Sequence, residues 1–122
     1  MPALPTRALT NLDIRKFARL YDIPNFRGVF MRNELPDRIR KNESAVVNLD
    51  DTSGPGTHWV AYKKRGSQVS YFDSYGDLRP PNELEEYLCA TPGTTITYNT
   101  RRYQREGDVN CGHLALEFLR RE

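Results

Sequence analysis

Cys111 stands at the start of an apolar run with helical spacing and is followed directly by Gly112; the chain holds one other cysteine, Cys89, and two histidines, His58 and His113. A thiol in the first turn of a helix lies at the positive end of the helix dipole, beside backbone N–H groups with no helical partner, and both favour the thiolate. The thiolate is the nucleophile of acyl-transfer chemistry. Cysteine is also commonly buried as a small apolar residue, so the position alone leaves both readings open.

A nucleophilic cysteine needs a base. His113 lies two residues along the same expected helix, where side chains point to different sides, which leaves His58. His58 opens an apolar strand after the turn-forming stretch Asp51 to Gly56, a place from which an imidazole can reach into a cleft. A surface histidine at a strand end fits that position equally well. Asp73 ends the strand expected to pair with that of His58, where a carboxylate can hold the ring's tautomer and stabilise the imidazolium. Gln104 lies on the loop before Cys111, and its neutral amide can donate to an oxyanion without changing the charge of a thiolate–imidazolium pair. A loop glutamine is otherwise simply solvated. Gly112 removes bulk where a substrate carbonyl would approach, Gly56 permits close passage of an extended peptide, and Trp59 flanks the base, which makes these three the candidate substrate contacts.

Other chemistries fit less well. Cys89, Cys111, His58 and His113 follow none of the usual structural zinc spacings, so neither a metal nor an organic cofactor is expected. With no export signal at the start (MPALPTRALTNLD), the two cysteines are expected reduced, Cys89 as a packed or surface thiol.

The elements that must position these residues are partly visible. From Thr10, Ile14, Phe17, Ala18 and Tyr21 recur at helical spacing, with Thr10 or Asn11 as cap and Pro24 as stop. Residues 25–43 show no sustained period and read as a long surface connection with at most one short helix near Asp37 to Lys41. Ser44–Leu49 reads as a buried strand, and His58–Lys64 and Gln68–Asp73 read as a hairpin about Arg65-Gly66-Ser67. A short helix (NELEEYLC, with Leu84, Tyr87 and Leu88 on one face) and a strand over Thr94–Tyr98 follow. The last helix aligns Cys111, Leu114, Ala115, Phe118 and Leu119, with Asn110 or Asp108 as cap. The pattern predicts an α+β fold in one domain over residues 1–122, with a small antiparallel sheet packed against helices.

The 122 residues suit one compact core. At 38% hydrophobic and 11% aromatic they are too apolar for a disordered chain, and no apolar run reaches the length of a membrane span, so a soluble intracellular protein is expected. The balance of 18 Lys and Arg against 16 Asp and Glu is no nucleic-acid footprint, although basic clusters occur at Lys63-Lys64-Arg65, Arg101-Arg102 and Arg120-Arg121.

The ordered segments GTHWVAY, YFDSYG and YQREGDVNCG resemble the adenovirus-type (adenain-like) cysteine protease family and, more distantly, the SUMO proteases. With NFRGVFMRNELP and CGHLALEFL, the chain from about residue 10 is most similar to the proteases of Polinton or Maverick elements and related viruses. The resemblance implies a papain-like/adenain-like fold and a cysteine endopeptidase in which Cys111, His58, Asp73 and Gln104 act as nucleophile, base, acid and oxyanion donor. The adenovirus enzymes carry Glu where this chain has Asp73, and a longer region after the cysteine helix. The resemblance further implies viral capsid or core precursors as substrates, a site in the host nucleus, cytoplasm or virion, and an activating peptide or DNA. A monomer is expected. Other readings are a SUMO- or ubiquitin-deconjugating protease and an inactive peptide-binding descendant.

Overall fold

The computed structural model describes residues 4–50, 58–104 and 109–121. Helix α1 (Asn11–Leu20) begins at Thr10, whose hydroxyl accepts from the Asp13 N–H while the Asp13 carboxylate accepts from the Thr10 N–H at 2.8 Å. This reciprocal cap satisfies two otherwise orphaned donors. Ile14, Phe17 and Ala18 are buried, and the helix ends at Tyr21, before Pro24, as the spacing predicts.

The expected connection over residues 25–43 instead contains a strand, β1 (Phe26–Met31), and residues 37–41 form no helix. The reason is a bulge: the register of β1 shifts between Phe26 and Gly28, and Gly28 takes a φ of 151°. One extra residue breaks the period-two pattern by which a strand is recognised. β1 pairs parallel with β2 (Asn42–Asn48), and β2 pairs antiparallel with β3 (Trp59–Arg65). β3 turns through Gly66 and Ser67 into antiparallel β4 (Gln68–Phe72), which pairs parallel with β5 (Thr95–Tyr98). The sheet order is β1-β2-β3-β4-β5. Antiparallel pairing therefore holds for the three inner strands, and the two outer strands join parallel.

The sheet is covered on both faces, so β2 and β3 are buried along nearly their whole length. On one face α1 and α3 (Cys111–Arg120) pack with Val46, Trp59 and Ala61. On the other, α2 (Asn82–Leu88) buries Leu84 and Leu88 against Ala45, Val47, Val60, Tyr62, Val69 and Tyr71.

A buried polar network closes one end of the sheet. Glu43 accepts hydrogen bonds from Arg27 (2.9 Å), Tyr62 (2.5 Å), Tyr87 (2.8 Å) and the Arg40 N–H (2.8 Å). Buried Lys64 donates to the carbonyls of Arg40 (2.9 Å) and Lys41 (3.1 Å), so the segment before β2 is held from both sides. Burial pushes the Glu43 carboxyl up, but the bonds from Tyr62, the Arg40 N–H, Tyr87 and Arg27 outweigh it and hold the carboxyl below its ordinary value. A carboxyl depressed in the folded state stabilises the fold above its unfolded pKa and loses that contribution as the pH falls. Glu43→Ala is expected to cost about 3–5 kcal/mol, as for removal of one partner from a buried ion pair. In urea titrations across pH, the deficit of Glu43→Gln should be constant near neutrality and shrink below about pH 4.

Candidate active site

The hairpin brings His58 to Asp73. Ala61 pairs with Phe72, so Asp73 extends β4 opposite Val60, and His58, two residues before Val60, is its diagonal neighbour on the same face. His58 Nε2 lies 2.8 Å from Asp73 Oδ1. With Nε2 engaged, Nδ1 is the ring nitrogen left for the thiol of Cys111, which lies near enough to His58 for each group to shift the titration of the other.

Cys111 is the first residue of α3, whose buried side is made by Gly112, Ala115, Leu116 and Leu119. Leu114 and Phe118, expected on the apolar stripe, are only half-buried, and Leu116 takes the inward place. Asn110 stands at the cap position without a side-chain cap bond, and Asp108 lies outside the described residues. Burial pushes the Cys111 thiol up, but the hydrogen bond and charge of His58 and the backbone N–H groups of Trp59 and Gly112 bring it below its ordinary value. Burial likewise lowers His58, and hydrogen bonds to Asp73 and Cys111 with their charges overcome this and raise it to about 9. Each partner thus favours the charged form of the other.

Asp73 is fixed by its backbone. Its N–H donates to Asn99 Oδ1 (2.9 Å), its carbonyl accepts from Asn99 Nδ2 (2.7 Å), and the same carbonyl takes the Gly76 N–H (2.9 Å) to close a turn. Gly76 has a φ of 77°, and a Cβ there would stand 2.6 Å from the Arg101 carbonyl oxygen. Gln104 is buried against this turn. Ser74 Oγ donates to Gln104 Oε1, which fixes the flip of the amide, and the Tyr103 N–H donates to the Ser74 carbonyl at 2.7 Å.

Three candidate substrate contacts fare differently. Trp59 is buried, its Nε1 donates to the Leu9 carbonyl at 3.0 Å, and it lies in the core under α3, so its ring packs rather than faces a cleft. Gly112 is buried too: a Cβ would meet Leu9 Cβ at 3.1 Å and Trp59 Cδ1 at 3.2 Å, so its smallness serves helix–core packing. The sequence reading takes the pair as lining the substrate path; in the fold both pack against Leu9. Gly56 and the Asp51–Gly56 loop lie outside the described residues. His113 is engaged elsewhere, its Nε2 bonded to the Pro5 carbonyl, and Cys89 is exposed with a free thiol. Of the basic clusters, Lys63, Arg65, Arg120 and Arg121 line a cavity of about 380 Å³ at the other end of α3 from Cys111.

The sequence reading does not include Ser74, Tyr75 or Asn99. Asp-Ser-Tyr-Gly carries a turn signature in its closing glycine, but nothing local ties Asn99 to Asp73.

No family model matches the chain, and no curated protein does. Solved structures do. The crystal structure of the ASFV pS273R protease superposes with a TM-score of 0.59 at 22% identity, covering 98% of this chain and 59% of that one. The SUMO protease Ulp1, with its catalytic cysteine oxidised to a sulfinic acid, superposes at 0.60 with 13% identity, covering 95% and 66%. The α+β fold is thus the fold of these cysteine proteases, and the chain spans about six-tenths of the length of the ASFV protein. Among the described residues no helix is long and apolar enough to cross a membrane.

Gly76→Ala would force a side chain into a left-handed backbone and against the backbone of Arg101. A loss of about 2–5 kcal/mol is expected in thermal or urea unfolding, whereas alanine at Gly66, which is open within 4 Å, should cost only the backbone strain.

Proposed function

We propose that the chain is a cysteine endopeptidase with Cys111 as nucleophile, His58 as general base and acid, Asp73 orienting His58, and Gln104 with the Cys111 N–H as oxyanion donors. The observation that carries this reading is the placement of one imidazole between the Asp73 carboxylate, at 2.8 Å, and a thiol in the first turn of α3. The similarity of fold to the ASFV and Ulp1 proteases supports it.

In this mechanism the Cys111 thiolate attacks a peptide carbonyl and a C–S bond forms. The oxyanion that develops is met by the Gln104 amide and backbone N–H groups at the helix start. Collapse breaks the C–N bond as protonated His58 gives its proton to the leaving amine. Neutral His58 then takes a proton from water, which attacks the thioester and releases the acid and the thiolate. Asp73 keeps Nε2 as the ring's donor throughout, so that Nδ1 is the nitrogen that gains and loses the proton.

The substrates are proteins cleaved at extended segments. Processing of viral capsid or core precursors is the role the segment-by-segment resemblance to viral proteases favours. A panel of such precursor peptides set against SUMO- and ubiquitin-type conjugates separates this role from deconjugation, and cleavage of neither by the wild-type protein points to a peptide-binding descendant.

Alkylation followed by peptide mapping tests the site directly, with exposed Cys89 as internal control. Cys111 should react faster than Cys89 at about pH 6, where an ordinary thiol is protonated, and His58→Ala should abolish the advantage. The profile of kcat/KM should rise on a limb below the ordinary thiol range and fall near pH 9 as His58 deprotonates. Gln104→Ala should lower kcat by about 10²–10³ with little change in KM, as for loss of one oxyanion donor; an unchanged kcat removes Gln104 from the mechanism.

A further inference from the structure

The turn that follows Asp73 reaches back over the base. Tyr75 stacks on the His58 imidazole, with ring centroids 4.7 Å apart and planes inclined by 24°. Its backbone N–H donates at 3.0 Å to Asp73 Oδ1, the oxygen that also holds His58 Nε2. The guanidinium carbon of Arg102 lies 5.4 Å from the centroid of the Tyr75 ring, and Arg102 Nε donates to the carbonyl of Gln104. One aromatic residue thus touches the base through its ring, the orienting acid through its backbone and, through a cation, the residue that carries the candidate oxyanion amide.

Resting on the peptidase reading above, we propose that Tyr75 is a positioning residue that holds the plane of the His58 imidazole and, through Arg102, couples that orientation to the placement of Gln104.

The need for such a restraint follows from the reaction itself. Before attack, His58 has two anchors, the Asp73 carboxylate at Nε2 and, in the peptidase reading, the Cys111 thiol at the other nitrogen. Once the sulfur is acylated, the second anchor is gone. A ring held by a single hydrogen bond can swing about it, and water activation requires the freed nitrogen to stay aimed at the thioester carbon. The Tyr75 ring does not depend on the state of the sulfur and supplies the missing constraint in the acyl-enzyme. Its π face also favours the imidazolium, alongside the Asp73 and Cys111 charges, with the Arg102 cation behind Tyr75 acting in the opposite sense.

The test is pre-steady-state turnover of an activated ester or thioester peptide by the full chain, in the wild type and in Tyr75→Ala, Tyr75→Leu, Tyr75→Phe and Arg102→Ala. Tyr75→Ala and Tyr75→Leu should lower kcat about 10- to 100-fold, the scale of a misplaced catalytic group, with KM little changed. They should also accumulate acyl-enzyme as a burst, since deacylation suffers more than acylation. Tyr75→Phe keeps the stack and should restore wild-type turnover, which separates positioning from a role of the hydroxyl. Arg102→Ala should give a smaller loss in kcat, and an unchanged value would overturn the coupling to Gln104. If the wild type turns over and Tyr75→Ala and Tyr75→Leu, folded by urea titration, match it in kcat and show no burst, Tyr75 has no positioning role. If the wild type shows no His58-dependent turnover at all, the peptidase reading fails and this inference with it.

Discussion

A partly buried imidazole whose charged form is favoured by its neighbours is the constraint around which this site is arranged. Removing an ion from water costs several kcal/mol unless fixed partners replace the solvent. His58 is raised to about 9 in spite of burial, so its partners outweigh that cost. One of them is the Asp73 carboxylate, at 2.8 Å. Asp73 can do this only because its own backbone is held by both ends of the Asn99 amide and by the turn to Gly76. The strained geometry of that turn, with positive φ at Gly76 and Asp77, is tolerated because the segment at Arg101 packs directly against it.

The thiol is placed by packing rather than by polar contacts. Leu9 and Trp59 come so close to Gly112 that a Cβ there would meet them at 3.1 and 3.2 Å, so glycine lets helix α3 approach the sheet without displacing either. This sets the depth of the first turn and hence the height of Cys111 above the start of β3. The Trp59 indole bonded to the Leu9 carbonyl ties the segment before α1 into the same arrangement. The Cys111 thiol is thus positioned by core atoms behind it, and His58 by hairpin register in front of it.

The inner hairpin, its register and the helix that begins at Cys111 are readable in the sequence, because each rests on a local pattern: alternation in the strands, a glycine turn at Gly66, helical spacing in the last ten residues. The relation of His58 to Asp73 follows from the hairpin and needs no distant contact. β1 is unreadable because the bulge at Gly28 interrupts alternation within a six-residue strand. Glu43 falls in the sequence at the end of the expected surface connection over residues 25–43, and nothing local marks it as buried, because its partners Tyr62 and Tyr87 lie 19 and 44 residues away. Trp59 and Gly112 are assigned to substrate for a related reason. Their neighbour Leu9 is a hundred residues from the helix it meets, so only the fold reveals that the glycine answers to packing.

The two ends of the sheet carry opposite kinds of polar burial. At the Glu43 end, a carboxylate is met by four donors and the bonds are complete, which suits a region that only has to hold. At the Cys111 end, Asp73 Oδ1 is shared by His58 Nε2 and the Tyr75 N–H, so one carboxylate oxygen holds both the imidazole and the turn that follows it. The residues that meet here all stand at element ends: His58 just before β3, Asp73 just after β4, Cys111 at the first residue of α3. Strands and helix lend rigidity to these ends, which fixes the placement of the three groups relative to one another.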